Sequence, residues 1–285
     1  MITKDLIKDR IRPLKPIPTG VKPAGRLGQK IACVLFDIYG TLFVSGSGDI
    51  GTEAQKDPPK KQVTALFEKY AVAESFVTLR QKLTAAVKNH HARSRARGID
   101  FPEVRIEDIW AGVLNVDDKE KMKCFAVEYE AIVNPVYPMP HLAQVLQALK
   151  TTGVCLGLVS NAQFFTPYLF EWFLGQTPAQ LGFEPDLAVF SYQHGVAKPS
   201  QALFEKTLNP LKGHDISLEK VLYVGNDMLN DIYPATKLGF QTALFAGDKR
   251  SLRLRTDNSR CQKLVPDITI TDLRQLPEHL LHSLK

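Results

Sequence analysis

The sequence from Ile31 to Phe43 is Ile-Ala-Cys-Val-Leu-Phe-Asp-Ile-Tyr-Gly-Thr-Leu-Phe, and this stretch decides the predicted fold. Its first six residues are apolar, which is typical of a strand buried on both faces of a parallel sheet. The strand runs into Asp37, and an unpaired carboxylate there is costly unless something uses it. Ligands of open α/β sheets bind beyond the carboxyl ends of the strands. Asp37 is therefore the first candidate functional residue, and Gly40 allows a sharp turn just after it.

Two further segments place polar side chains beside regular elements. Residues 154–159 predict a second buried strand, which ends in Ser160 and Asn161. Further along, Pro199 marks the start of a helix, and Lys198 stands directly before it. The positive end of a helix dipole disfavours a structural cation, so we expect this lysine to face an anion. The simpler readings are a Ser-Asn helix cap and a solvated surface lysine.

A fourth segment combines a strand with several oxygen-bearing side chains. Residues 221–224 are apolar, Gly225 follows, and Asn226, Asp227 and Asp231 come next. Two aspartates four residues apart project from one face of a helix. Either could simply be an acidic residue favoured at a helix start. Together with Asp37, they form an oxygen-rich group suited to a hard cation such as Mg²⁺.

These segments carry a family resemblance over about residues 31–250. Asp-x-Tyr-Gly-Thr, strand-Ser-Asn, Lys-Pro and Gly-Asn-Asp-x-x-x-Asp resemble, in the same order, the four motifs of the haloacid dehalogenase-like superfamily. The resemblance implies an α/β fold, with a doubly wound, Rossmann-like parallel sheet and an inserted helical cap domain. It also implies a hydrolase in which Asp37 is the nucleophile that forms a covalent intermediate, and in which Lys198 keeps Asp37 ionised.

The same resemblance assigns the remaining site residues. The predicted substrate-binding residues are Tyr39, Gly40, Thr41, Ser160 and Asn161. The predicted ligands of Mg²⁺ are Asp37, the backbone carbonyl of Tyr39, Asn226, Asp227 and Asp231. The metal would screen the repulsion between a carboxylate nucleophile and an anionic phosphate.

One departure from the phosphatase pattern of the family opens an alternative. Most of its phosphatases carry a second aspartate two residues after the nucleophile, as general acid for the leaving alcohol; here that residue is Tyr39. A phenol with an ordinary pKa of about 10 replaces such an acid poorly near neutral pH. Members that cleave carbon–halogen bonds share this Asp-x-Tyr-Gly-Thr, and halide leaves without a proton. A metal-independent 2-haloacid dehalogenase is therefore the second hypothesis.

The fourth motif favours the phosphatase reading. In the metal-free dehalogenases of the family, the sequence at this place is similar to Ser-Ser-Asn-x-x-Asp, whereas this chain has Gly-Asn-Asp followed by Asp231. Asn226 occupies the position of the usual first metal aspartate, and Asp227 is a candidate to replace it. We predict a Mg²⁺-dependent phosphohydrolase that acts on a small phosphorylated molecule and prefers good leaving groups. A catalytically weak or non-enzymatic binding member is the third hypothesis.

The spacing of the motifs predicts the domain organisation. The first two motifs lie too far apart for a simple crossover, so we expect a helical cap domain at residues 46–137 and a core at 31–45 and 138–285. Residues 46–57 resemble a linker by composition. Apolar residues then recur at helical spacing, as at Val63, Leu66, Phe67 and Tyr70.

The positive charge is local. The chain has a net charge of +6, and residues 1–30, with eight Lys or Arg and two Asp, account for all of it. We expect this proline-rich arm to pack on the core or on a second subunit of a homodimer. A second basic stretch covers residues 248–263. Because neither stretch interleaves basic with aromatic residues, nucleic acid is not an expected partner.

The sequence also predicts a cytoplasmic protein. No apolar run approaches the roughly 18 residues that span a bilayer, and Asp5 and Asp9 interrupt what would be a signal peptide. The four cysteines have neither zinc-site spacing nor the density of a disulfide framework.

Overall fold

The computed structural model describes residues 2–47 and 58–282. The predicted linker falls mostly on residues 48–57, which lie outside this described part. The strands are β1 (Ala24–Gly25), β2 (Cys33–Phe36), β3 (Phe43–Ser45), β4 (Val136–Pro138), β5 (Cys155–Ser160), β6 (Phe183–Phe190), β7 (Val221–Gly225), β8 (Gln241–Phe245) and β9 (Ile268–Ile270). The helices are α1 (Lys60–Tyr70), α2 (Phe76–Ala96), α3 (Ile106–Leu114), α4 (Lys119–Val133), α5 (Leu142–Thr152), α6 (Tyr168–Leu174), α7 (Ser191–His194), α8 (Gln201–Phe204), α9 (Leu208–Gly213), α10 (Tyr233–Lys237) and α11 (Gln275–His282).

Seven of the strands form one sheet in the order β1-β9-β8-β7-β2-β5-β6. All neighbouring pairs are parallel except the edge pair β1–β9. The chain winds outward from β2 in both directions, through β5 and β6 on one side and through β7, β8 and β9 on the other. The predicted doubly wound parallel sheet is therefore confirmed.

The register of β2 aligns the ends of the motif strands. Phe36, its last residue, pairs with Leu158 of β5 on one side and with Val224 of β7 on the other. The residues that follow each strand consequently emerge at the same edge of the sheet. This is the topological switch point, where open α/β sheets bind their ligands.

Strand β2 is fully buried because both faces of the sheet are covered. Val34 and Phe36 belong to the larger apolar cluster, whereas Cys33 and Leu35 belong to a second cluster on the opposite face. Alternate residues of a strand point to opposite faces, so a strand covered on both sides needs a continuous apolar run. The burial of a strand packed in this way holds Asp37 in a fixed position.

A helical insertion, residues 60–133, comprises α1 to α4 and stands between β3 and β4. Those two strands pair antiparallel and form the stem of the insertion. Its own core is aromatic: the ring centroid of Trp110 lies 4.9 Å from that of Phe125 and 4.7 Å from that of Tyr129. Within the described residues, no helix has both the length and the apolar character needed to cross a membrane.

The basic N-terminal arm contacts both parts of the molecule. Ile7 is buried in the larger apolar cluster. Arg10 Nη2 lies 2.9 Å from Oε2 of Glu128 in α4, and the other oxygen of that carboxylate, Oε1, accepts Lys69 Nζ at 2.6 Å. At its other end, the arm adds β1 to the sheet through Ala24. Part of its charge is thus used in internal contacts.

Candidate active site

Three of the sequence motifs converge on the carboxylate of Asp37, which is 6% exposed. Its Oδ1 accepts hydrogen bonds from Lys198 Nζ at 2.6 Å and from Ser160 Oγ at 2.9 Å. These donors come from the loop after α7 and from the end of β5. Because Oδ2 accepts no hydrogen bond from the described residues, one oxygen of Asp37 keeps its lone pairs for another partner.

Lys198 lies between two buried carboxylates. Its Nζ contacts Asp37 Oδ1 and Asp231 Oδ1, both at 2.6 Å, and Tyr223 Oη at 3.2 Å. Burial opposes the charged form of the amine, but the carboxylates of Asp231 and Asp37 outweigh it and raise the pKa of Lys198. Burial also acts on Asp231 and raises its pKa, against the Lys198 ammonium. The Lys198 ammonium therefore makes charge-assisted hydrogen bonds to the carboxylates of Asp37 and Asp231.

Asp231 is directed into the protein. Its Oδ2 accepts the backbone N–H groups of Asn226 at 3.0 Å and Asp227 at 2.9 Å, while Oδ1 takes Lys198 and the Tyr223 hydroxyl at 3.2 Å. A Cβ on Gly225 would lie 2.4 Å from Asp231 Cγ, so only glycine allows this approach. Both oxygens of this predicted metal ligand are occupied.

Asp227 also has both oxygens in hydrogen bonds. Its Oδ1 accepts the backbone N–H groups of Leu229 at 2.8 Å and Asn230 at 3.2 Å, which caps the following turn. The Arg255 guanidinium binds the same carboxylate, with Nη2 2.6 Å from Oδ2 and Nε 3.1 Å from Oδ1. A bidentate arginine of this kind neutralises the charge of the aspartate.

The predicted anion-binding hydroxyls have partners inside the site. Thr41 is fully buried and donates to Asn226 Oδ1 at 3.0 Å, and Ser160 donates to Asp37. Gly40 has φ of +83°, and a Cβ there would lie 2.5 Å from Ser251 Cβ. The two hydroxyls orient other site residues, and glycine is required at the turn.

A small polar pocket of about 60 Å³ lies among these groups. It is lined by Asp37, Tyr39, Asn161, Lys198, Asn226, Asp227, Asn230, Asp231, Ser251 and Arg253. Asn161 fixes the backbone of Lys198 at the wall of the pocket, because its Oδ1 accepts the backbone N–H of Lys198 at 2.7 Å. The pocket therefore unites residues of all four motifs, while Thr41 and Ser160 stand behind its lining.

The oxygen donors of the pocket bear on the predicted Mg²⁺. In the part of the chain that the structure describes, Glu184, Asp186 and His214 are the one trio of His, Cys, Asp or Glu with ligand atoms mutually within 4.8 Å. The three site aspartates do not form such a group. Among the predicted metal ligands, the side-chain oxygens with remaining capacity are Asp37 Oδ2 and Asn226 Oδ1, whose second lone pair is not used by Thr41. Mg²⁺ usually keeps several waters beside one or two carboxylates, so this smaller donor set fits it.

A larger cavity of about 290 Å³ lies between the helical insertion and the sheet domain. Phe76, Arg80 and Leu83 of α2 line one side, and Gln163 and Phe165 line the other. Tyr39 lines both this cavity and the small pocket. The two cavities therefore share the side of Tyr39 as part of their walls.

The phenol of Tyr39 faces away from solvent. Its Oη lies 3.0 Å from Thr166 Oγ1, and the residue is 9% exposed. Burial, followed by the charge of Glu130, raises the pKa of this phenol far above its usual range. Tyr39 is therefore an even weaker acid than an ordinary tyrosine.

Five site residues were missed by the motif analysis: Tyr223, Asn230, Ser251, Arg253 and Arg255. Tyr223 is in a predicted strand, and its hydroxyl donates to Val159 O at 2.7 Å while contacting Lys198. Asn230 lies between Asp227 and Asp231 in the fourth motif and lines the pocket. Ser251, Arg253 and Arg255 belong to the second basic stretch, to which the motif analysis gave no site role, and Ser251 is fully buried there. A polar loop directly after a parallel strand was the available signal, since β8 ends at the same edge as β7.

Comparisons with known proteins agree with this arrangement. A sequence 27% identical over 212 residues, which cover 73% of this chain and 82% of the relative, is the glyceraldehyde 3-phosphate phosphatase of Methanocaldococcus jannaschii. Among solved structures, the 2-haloacid dehalogenase from Pseudomonas syringae pv. Tomato DC3000 superposes with a TM-score of 0.55 at 20% identity, covering 88% of this chain and 99% of that one.

A second dehalogenase, the L-2-haloacid enzyme from Xanthobacter autotrophicus, gives a TM-score of 0.50 at 16% identity, over 90% of this chain and 100% of its own. At these identities, the structures are similar in fold. The sequence model of the family described as haloacid dehalogenase-like hydrolase matches residues 31–239, well over half of the chain and all four motifs. The chain belongs to this hydrolase family.

Proposed function

We propose that this hydrolase is a phosphohydrolase that acts through a covalent aspartyl-phosphate on Asp37. The observation that carries the proposal is that the two carboxylate oxygens of Asp37 differ in their hydrogen bonding. Oδ1 is held by Lys198 and Ser160, whereas Oδ2 carries no hydrogen bond and belongs to a residue that lines the polar pocket. A fixed carboxylate with one uncommitted oxygen is suited to nucleophilic attack. The relative named as a phosphatase supports phosphorus as the reacting atom.

In the proposed reaction, Asp37 Oδ2 attacks the phosphorus, and the bond from phosphorus to the leaving oxygen breaks. The leaving group departs with the electron pair of that bond. Water then attacks the aspartyl-phosphate, releases inorganic phosphate and restores the carboxylate. Lys198 keeps Asp37 charged in the resting site, and the fixed geometry avoids the entropy of orienting the nucleophile.

The proposed cofactor is Mg²⁺, held by Asp37, the backbone carbonyl of Tyr39 and Asn226. Asp227 and Asp231, predicted ligands as well, are proposed instead as positioning residues, because Arg255 and Lys198 occupy their oxygens. When bound, Mg²⁺ would supply positive charge that screens the carboxylate from an anionic phosphate. A site with one carboxylate ligand is expected to bind the metal weakly.

The substrates that we propose have good leaving groups, such as acyl phosphates. A general acid contributes about 10²- to 10⁴-fold, and the raised pKa of Tyr39 removes it from that role at neutral pH. We also propose that the helical insertion is the cap domain, and that the 290 Å³ cavity beneath it holds the leaving group.

The second candidate function is a metal-independent 2-haloacid dehalogenase, and Tyr39 is the observation that favours it. Halide needs no proton, so this residue would carry no penalty in that reaction. Asn226 in place of a metal-binding aspartate points the same way. A catalytically weak or binding-only member is the third.

The test is phosphate release from acetyl phosphate, measured with Mg²⁺ and then with EDTA, in parallel with chloride release from 2-chloropropionate. Phosphate release that requires Mg²⁺ and disappears in Asp37→Asn supports the proposal. Metal-independent chloride release would replace it by the dehalogenase. A folded protein that releases neither product across a broad panel would leave the binding-only function.

A further inference from the structure

The segment of the helical insertion that leads from α2 into α3, residues 100–106, contacts the loops that carry the second and third motifs. We call it the docking segment. Ala197 N donates to Phe101 O at 2.7 Å, within an antiparallel bridge between the two backbones. Lys198, which binds Asp37, is the next residue along the chain. The insertion therefore contacts the backbone directly beside this lysine.

The side chain of Glu103 joins the docking segment to the sheet domain. Its Oε2 accepts Ser191 Oγ at 2.7 Å, and its Oε1 accepts Gln163 Nε2 at 3.3 Å and the backbone N–H of Val104 at 2.8 Å. Burial raises the pKa of this carboxyl, and these hydrogen bonds partly oppose the rise. Desolvation of a carboxylate is costly unless hydrogen bonds compensate it. Two of the three donors belong to the sheet domain, so Glu103 keeps its full set of hydrogen bonds only while the insertion is docked.

Ser191 connects Glu103 to the second motif. The residue is fully buried, and its hydroxyl accepts the backbone N–H of Ala162 at 2.9 Å while it donates to Glu103. Ala162 follows Asn161, whose Oδ1 accepts the backbone N–H of Lys198 at 2.7 Å. These contacts form a continuous connection from the insertion to the backbone of Lys198.

Gln163 binds the docking segment from the sheet domain. Its Oε1 accepts the backbone N–H of Ile106 at 3.0 Å, and its Nε2 donates to Val104 O at 3.0 Å. Its own backbone N–H donates to Thr166 Oγ1 at 3.1 Å, and this hydroxyl lies 3.0 Å from Tyr39 Oη. Gln163 thereby lies between the docking segment and the turn of the first motif.

The position of the Lys198 backbone depends on contacts from two sides. The docking segment holds it through Ala197 and Phe101, and the second motif holds it through Asn161. The ammonium of Lys198 lies 2.6 Å from Asp37 Oδ1, so a displaced backbone would also displace the group that fixes the nucleophile. A misplacement of about 1 Å at a reacting centre can cost about 10²-fold in rate.

We propose that Glu103 is a positioning residue, which holds the loops of Asn161 and Lys198 in the geometry that fixes Asp37 for attack. The catalytic centre is then complete only when the helical insertion is docked. The effect on turnover rests on the proposed phosphohydrolase function, whereas the docking itself can be measured without turnover. Glu103 belongs to the insertion and lies outside the four motifs.

The docking is tested by hydrogen–deuterium exchange of the backbone amides of residues 195–198. The N–H groups of Ala197 and Lys198 are both hydrogen-bonded, so we expect Glu103→Ala to make them exchange about 10-fold faster through local opening. Exchange in β8 reports global unfolding, and the change at residues 195–198 must exceed the change there. Glu68→Ala removes an exposed acid from α1 of the same insertion and should leave this exchange within about twofold.

The hydrolysis of acetyl phosphate provides the second readout. Glu103→Ala is expected to lower kcat by about 10- to 100-fold and to change KM by less than about threefold, because the residue acts through Lys198 and not on the substrate. Glu103→Gln keeps an acceptor oxygen for Gln163 and Val104, so its kcat should lie between those of Glu103→Ala and the unchanged protein. Circular dichroism verifies that each variant is folded at the assay temperature.

The proposal is refuted if residues 195–198 exchange at the same rate in Glu103→Ala and Glu68→Ala. A rise in KM with unchanged kcat also overturns it, since Glu103 would then be a substrate contact. If exchange rises in Glu103→Ala but the unchanged protein releases no phosphate from acetyl phosphate, the docking role stands and the phosphohydrolase proposal fails. If Glu103→Ala hydrolyses acetyl phosphate as fast as the unchanged protein, the positioning role alone fails.

Discussion

Replacing Lys198 by methionine should destabilise the protein as well as inactivate it. The ammonium lies 2.6 Å from an oxygen of Asp37 and 2.6 Å from an oxygen of Asp231, and the side chains of these three residues are at most 8% exposed. At an effective dielectric constant of about 20, each contact is worth about 6 kcal/mol of gross attraction. Burial of the charges offsets most of that sum, so the gross figure is not the stability change.

The net cost follows from what each carboxylate keeps. Breaking a buried ion pair by removing one partner costs about 3–5 kcal/mol, because the remaining charge is left uncompensated. Asp231 retains two backbone N–H donors, and Asp37 retains the Ser160 hydroxyl. Because these contacts remain, we expect Lys198→Met to lower the free energy of unfolding at pH 7 by about 3 kcal/mol, the lower end of that range.

The assay is urea denaturation followed by tryptophan fluorescence, with Lys206→Met as the matched loss of an exposed lysine. The control should change the unfolding free energy by less than about 0.5 kcal/mol. The double variant Lys198→Met with Asp231→Asn removes one stranded charge and should recover about 1–2 kcal/mol relative to Lys198→Met. The idea that Lys198 compensates two buried charges would be refuted by either of two results. Lys198→Met could prove as stable as Lys206→Met, or the double variant could show no recovery of the free energy of unfolding.

Three further predictions concern the metal, the arm and the close packing behind the pocket. Asn226→Asp adds a carboxylate ligand and should lower the Mg²⁺ concentration for half-maximal phosphate release by about tenfold or more, measured by metal titration; an unchanged midpoint would remove this residue from the ligand set. Glu128→Gln strands Arg10 and should cost about 2–3 kcal/mol in urea denaturation, whereas the exposed Glu120→Gln should cost under about 0.5 kcal/mol. Gly225→Ala puts a methyl group about 2.4 Å from Asp231 Cγ, so we expect loss of activity and a lower melting temperature; a variant with full activity would contradict the proposed fixed position of Asp231.

The neutralisation of Asp227 sets this site apart from a simple cluster of acids. The aspartates of the first and fourth motifs, Asp37, Asp227 and Asp231, suggested a metal centre with several carboxylate ligands. In the folded chain, one is paired with Arg255, one with Lys198 and two backbone amides, and one keeps a single uncommitted oxygen. The site therefore contains more positive charge than the motifs alone indicate. This balance underlies the expected weak Mg²⁺ affinity.

The sheet and the catalytic edge were predictable because they follow from local patterns. Each motif strand is a short apolar run that ends in a polar residue, and parallel strands must deliver their carboxyl ends to one edge. That rule is enough to bring Asp37, Ser160 and Asn226 together. The helical periodicity around Val63 likewise predicted a helix, which the structure contains as α1.

The hydrogen-bond partners of the site residues could not be predicted from local sequence patterns. Thr41 and Ser160 were expected to bind substrate, and in the folded chain their hydroxyls donate to Asn226 and Asp37. A hydroxyl can donate to whichever acceptor the packing brings within reach, and residue type does not decide between protein and ligand. The same freedom explains Asp227, whose carboxylate could have faced a metal as readily as Arg255.

The sequence by itself determined the parallel sheet, the places where its motif strands end and the identity of the nucleophile candidate, since periodicity and strand ends are properties of short segments. Only the tertiary structure decided which cations reach the site. Ser251, Arg253 and Arg255 carry no motif, and their basic stretch has the composition of solvated surface. They become site residues because β8 pairs in register beside β7 and the N-terminal arm fixes the following loop through Asp248. Contacts of that kind join residues more than 200 positions apart, a separation that no local pattern encodes.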